Sequence, residues 1–152
     1  TMEGARGGPT VKQLQPHRLW IGHAGDISNA RPLFDAGVKA VVDLAVEEAP
    51  SRPPRELIAC RFPLVDGAGN DPDTLLLAVR TIAALIQGQV PTLVCCGVGV
   101  SRAPALTAAA LSLVQRLTPA QCLERVAQQY PCDVNTALWE EVAALLAARP
   151  VG

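Results

Sequence analysis

Cys96 and Arg102, with Gly97-Val98-Gly99-Val100-Ser101 between them, constrain this chain more than any other feature. The run 91–96 is short, apolar and rich in β-formers, and 102–116 is long and helix-compatible, so the five intervening residues must turn a strand into a helix. Backbone N–H groups in such a turn point inward, and the positive end of the following helix adds to them. The result is a concavity suited to an anion. Gly97 and Gly99 permit the unusual backbone angles and the close ligand approach that such a cradle needs.

A sulfur at the base of an anion cradle has chemistry available to it. The amides and helix dipole that attract phosphate also favour a thiolate over a thiol, which makes Cys96 a candidate nucleophile. Arg102 closes the loop with a planar fork that can hold two phosphate oxygens at once, a geometry that lysine cannot match. The expected phosphate-binding set is therefore Gly97, Val98, Gly99, Val100, Ser101 and Arg102. A buried structural cysteine is the bland alternative for Cys96, and the glycines and Arg102 weigh against it.

This loop resembles the signature of the cysteine-dependent protein tyrosine phosphatases, and its flanks resemble the small atypical dual-specificity branch. Residues 19–26 (LWIGHAGD) and 33–44 (LFDAGVKAVVDL) are similar to segments of that branch. Phe62-Pro63-Leu64-Val65-Asp66 resembles the strand that delivers its general-acid aspartate. The likeness runs from about residue 16 to residue 147. It implies a phosphomonoesterase acting on phosphotyrosine, phosphoserine, phosphothreonine or other phosphate monoesters through a phosphocysteine, with no metal or cofactor. Cys96, Arg102 and Asp66 would carry the chemistry, Asp66 protonating the leaving oxygen and then activating water. The Asp66-Gly67 dipeptide is also a turn signal, compatible with an acid on a mobile loop. Asp71, before Pro72, is the rival acid and reads better as a helix cap.

Two positions depart from the family pattern, and both predict slower turnover. Cys95 stands where the family has a loop-bracing histidine; strand alternation should point it away from the phosphate. Ala103 stands where a serine or threonine assists breakdown of the intermediate. A phosphate-recognition pseudophosphatase is therefore the alternative reading, although a pure binder needs neither nucleophile nor acid. An arsenate reductase or rhodanese-like sulfur carrier is a third, opposed by the position of Cys96 in the chain and by Asp66.

Composition narrows the partners. With 13 Lys+Arg against 14 Asp+Glu the net charge is −1, which gives no basic excess for nucleic acid or an anionic membrane. Trp20, Tyr130 and Trp139 are too scattered to form a base-stacking platform. The expected partners are a phosphorylated protein or small phosphate monoester, with inorganic phosphate as product. The lysine-free loop disfavours highly charged inositol phosphates, while glycan and RNA phosphates stay open. Five cysteines without C-x-x-C or Cys/His spacing suggest neither metal nor a disulfide framework. Adjacent Cα atoms sit too close for an ordinary Cys95–Cys96 bridge. No signal peptide or membrane-length apolar run is legible, so the expected location is the cytoplasm. His17, His23, Arg52 and Arg55 are read as packed or solvated residues, the two arginines having a rim role as their alternative.

Strand and helix patterns alternate, predicting an α/β fold: a mainly parallel sheet flanked by helices on both faces. Residues 1–15 are expected to form a flexible segment, and 16–150 a single phosphatase-like catalytic domain. Strands are predicted over 19–22, 40–44, 57–64 and 91–96. Helices are predicted over 30–36, ended by Gly37, over 75–87 behind an Asp71 cap, and over 102–116. Two more are expected, from Thr118 to about 129 and from Asn135 to about 147, and 67–70 should be a flexible loop.

Overall fold

The computed structural model describes residues 11–49, 52–97 and 100–148. Five strands form one sheet: β1 (Lys12–Gln13), β2 (Leu19–His23), β3 (Ala40–Ala45), β4 (Ile58–Leu64) and β5 (Thr92–Cys96). Their order is β1-β2-β5-β3-β4, and every pairing is parallel except β1 with β2. The carboxyl ends of β2 to β5 therefore share one edge, where ligands bind in open α/β sheets. Cys96 ends the strand between β2 and β3, so it sits at the middle of that edge.

Helices cover both faces, as the alternating pattern predicts. On one side pack α3 (Pro72–Gln87), α4 (Arg102–Gln115), α5 (Pro119–Gln129) and α6 (Thr136–Ala148). On the other lie the short α1 (Gly25–Ser28) and α2 (Ala30–Ala36). α4 is buried continuously from Arg102 to Ser112, which explains why its sequence is apolar almost all round. Its small residues, Ala103, Ala105, Ala108, Ala109 and Ala110, are all solvent-free and let the neighbouring helices approach closely.

Local chemistry sets the ends of these elements. Gly37 ends α2 with φ +83°, the left-handed conformation that favours glycine. Asp71 caps α3 by accepting from the Thr74 N–H, and Pro72 follows at the first helical position. Thr118 and Gln121 form a reciprocal capping box on α5. At α6 the Asn135 side chain accepts from the Leu138 N–H at 3.0 Å.

Two elements go beyond the sequence expectation. α1 occupies a region read only as a capping segment. β1 and Leu14 fall within the segment expected to be flexible, yet β1 pairs with β2 and Leu14 is only 2% exposed. A two-residue strand has too little periodicity to be read from sequence, and its partner supplies the order. The rest of that segment, residues 1–10, lies outside the described residues, as does 149–152 at the other end.

Candidate active site

Strand alternation decides what the two adjacent cysteines do. Cys95 is fully buried on the α1/α2 face, packed with Trp20, Val41 and Leu93, and its thiol faces the Val42 carbonyl at 3.6 Å. Burial pushes its pKa far up, with Asp43 and then Cys96 adding to the effect, so this thiol stays protonated. Cys96 belongs to the opposite face, where its Sγ accepts from the Ala103 N–H at 3.3 Å in the first turn of α4. The sulfur is buried as well, at 1% exposure, and lies at the positive end of a buried helix.

The cradle residues follow. A Cβ at Gly97 would come within 2.6 Å of Glu47 Oε2 and 3.0 Å of Arg102 Nη2, so a larger residue there would push on the Glu47–Arg102 pair. Val98 and Gly99 lie outside the described residues. The Val100 carbonyl accepts from the Asp133 N–H at 2.8 Å, which ties the loop to the segment leading into α6. Ser101 joins two elements, donating its hydroxyl to Asp66 Oδ1 at 2.5 Å and accepting from the Asn135 N–H at 2.9 Å.

Arg102 is buried, at 5% exposure, and fixed from one end. Its Nη1 donates to Glu47 Oε1 at 2.6 Å and to the Leu64 carbonyl at 2.7 Å, while Nη2 donates to Glu47 Oε2. Its Nε, also buried, has no hydrogen-bond partner among the described residues. A buried unpaired donor is costly, the more so on a charged group. The Nε side of the guanidinium is therefore suited to an oxyanion, while Glu47 holds the other end. Arg102 in turn keeps the Glu47 carboxylate ionised, lowering its pKa to about 2.

Asp66 lies on the exposed loop after β4, brought to the cradle by its contact with Ser101. That loop is tied more firmly than its glycines suggest. The Asn70 side chain accepts from the Val65 N–H at 2.8 Å and donates to the Val65 and Gly67 carbonyls. The Gly69 N–H donates to Glu141 on α6 at 2.7 Å. These bonds replace the expected flexible loop by a braced one. The rival acid, Asp71, is engaged as the α3 cap, accepting from both the N–H and the hydroxyl of Thr74.

The remaining candidates fall elsewhere. His23 Nδ1 accepts from the Gly25 N–H, closing a local turn, and His17 pairs with Gln115. Arg55 stands three residues before β4, whose start pairs with the start of β3, at the edge of the sheet opposite Cys96. Arg52 precedes it on the same connection. All five cysteines are unpaired, and the described residues contain no His/Cys/Asp/Glu group able to hold a metal. No described helix is long and apolar enough to cross a membrane.

Glu47, Asn135 and Glu141 are the site residues that sequence reasoning missed. Glu47 and Glu48 are adjacent acids after β3, and nothing in their spacing distinguishes the one that meets Arg102. The available signal was position, since an acid directly after a parallel strand must stand at the same edge as the loop after the neighbouring strand.

No protein-family model matches this chain, and no curated protein sequence matches it. Solved structures do. Human DUSP28 superposes with a TM-score of 0.78 at 23% identity, covering 91% of this chain and 96% of that one. A leucine rich repeat and phosphatase domain containing protein from Entamoeba histolytica gives 0.75 at 19%, covering 94% and 96%. The human tyrosine phosphatase-like serine/threonine/tyrosine-interacting protein gives 0.76 at 14%, covering 91% and 96%. The chain has the dual-specificity phosphatase fold.

Proposed function

We propose that this chain, with its dual-specificity phosphatase fold, is a metal-independent phosphomonoesterase that works through a phosphocysteine. Phosphotyrosine and aryl phosphates are its best substrates, and phosphoserine or phosphothreonine esters are slower ones. The carrying observation is the buried Arg102 Nε, unpartnered among the described residues, together with a thiol held at the N-terminus of the helix that Arg102 begins. An incoming phosphoryl oxygen supplies the acceptor that this nitrogen lacks.

The chemistry divides into two displacements. The Cys96 sulfur attacks phosphorus, forming an S–P bond as the P–O bond to the leaving group breaks, and Asp66 gives its proton to the departing oxygen. Asp66, now a carboxylate, takes a proton from water as that water attacks phosphorus. The S–P bond breaks, returning the thiolate and inorganic phosphate. Arg102 and the loop amides hold the equatorial oxygens throughout, where fixed dipoles cost no reorganisation. In the second step the departing sulfur has the Ala103 N–H to stabilise its charge, in place of the hydroxyl that Ala103 cannot offer.

The test is phosphate release from p-nitrophenyl phosphate under reducing conditions with a chelator present. Wild type is expected to turn over and Cys96→Ser to be inactive. A wild type that binds phosphate or tungstate without turnover assigns the chain to phosphate recognition instead.

A further inference from the structure

The edge that carries the cradle is also the acidic edge of the molecule. Exposed around it are Glu47 and Glu48 after β3, Asp66 after β4 and Asp133 before α6. Glu48 reaches in closely: its carboxylate comes within 3.6 Å of the position a Cβ at Gly97 would take. Among the described residues, the exposed cations near it, Lys12 and Arg61, stand on the outer strands β1 and β4, level with Ile21 and Asp43. Arg102 is buried against Glu47, and Arg31 pairs with Asp35 at 3.5 Å along α2. His23 is turned back on Gly25. The opposite edge carries Arg18 and Lys39, which precede β2 and β3, together with Arg55 before β4 and Arg116 after α4.

Apolar surface accompanies the acids. Val46 and Val65 are 39% and 42% exposed, and the Val46 N–H bond to the Leu64 carbonyl holds the two segments together. Valines and carboxylates thus flank Arg102, whose guanidinium is where an anion is favoured. Further negative charge on the substrate meets carboxylates of like sign, and positive charge meets opposite sign.

Resting on the phosphomonoesterase reading, we infer that the substrate is a phosphotyrosine in a peptide segment with basic residues on its flanks. The phosphate occupies the cradle, the ring lies along Val46 and Val65, and flanking lysines or arginines face Glu48 and Asp133. Polyanionic carriers such as inositol phosphates and nucleic acid fit this surface poorly.

The experiment compares two phosphotyrosine peptides of equal length, one with lysines and one with glutamates around the phosphotyrosine, at low and high ionic strength. p-Nitrophenyl phosphate, which has no flanks, is run beside them. The expected result is a roughly tenfold higher kcat/KM for the lysine peptide at low ionic strength, falling to about twofold at high ionic strength. Glu48→Lys should cut the low-salt preference several-fold. Equal kcat/KM for the two peptides, or a preference for glutamate flanks, overturns the inference if p-nitrophenyl phosphate is still hydrolysed. No release from any of the three overturns the phosphomonoesterase reading itself, and this inference with it.

Discussion

The two faces of the sheet treat neighbouring cysteines in opposite ways. On the α1/α2 face, Cys95 is packed among Trp20, Val41 and Leu93, and burial holds it as a thiol. On the other face, one residue later, Cys96 meets the N-terminus of a buried helix. The two share a residue type and a strand, so the difference comes from the period of two along a strand and from which helices cover each side. Both side chains are nearly solvent-free, at 0% and 1% exposure, so what separates them is the helix N-terminus that only Cys96 meets.

The strongest way to break this comparison is to remove each sulfur in turn. Cys96→Ser is expected to lower kcat on aryl phosphate by about 10³-fold or more, while Cys95→Ser keeps most of it. Comparable losses from both would dissolve the distinction between the faces. Alkylation sharpens it: with both side chains nearly solvent-free, iodoacetamide should still modify Cys96 faster than Cys95, whose thiol burial keeps protonated, as peptide mapping would show.

Next in size is Asp66, the acid proposed above. Asp66→Asn should cost about 10²–10⁴-fold with poor alkyl leaving groups and far less with p-nitrophenolate, which departs without a proton. A loss independent of the leaving group would remove Asp66 from the acid role.

Glu47 comes third. Glu47→Gln keeps the shape but weakens the grip on Arg102, and a displaced guanidinium should lower kcat/KM by between about tenfold and a hundredfold. The substitution also has a pH signature. Glu47 titrates at about 2 in the folded chain against 4.5 for an unperturbed glutamate, so the unfolded state binds its proton first as pH falls. The stability this pair contributes is fully present above pH 4.5 and is lost as pH drops through about 2. Urea unfolding across that window should therefore show a shallower decline for Glu47→Gln than for wild type. Parallel curves would mean that the pair adds nothing to stability. The smallest effect belongs to Cys95→Ala, about 1 kcal/mol of stability with turnover within about twofold, measurable by denaturant unfolding beside the activity assay.

Much of this was legible in the chain. Gly37, Asp71-Pro72 and Thr118-Pro119 are local stop and start signals, and each marks a helix end in the structure because its effect acts within one turn. The apolar run of α4 announced its own burial. β1 escaped notice because two residues carry no period, and the 67–70 loop was misjudged because its braces, Asn70 and Glu141, act through bonds that glycine content does not report.

The order of residues alone determined the strand, the turn, the helix and the opposed directions of Cys95 and Cys96, since all of these arise from contacts between near neighbours. Which acid holds Arg102, and that Ser101 links Asp66 to Asn135, was decided only by tertiary structure. Glu47 and Asp66 follow β3 and β4 and meet Arg102 and Ser101 because the strand order gathers the carboxyl ends of β5, β3 and β4 at one edge, while Asn135 comes from the connection between α5 and α6.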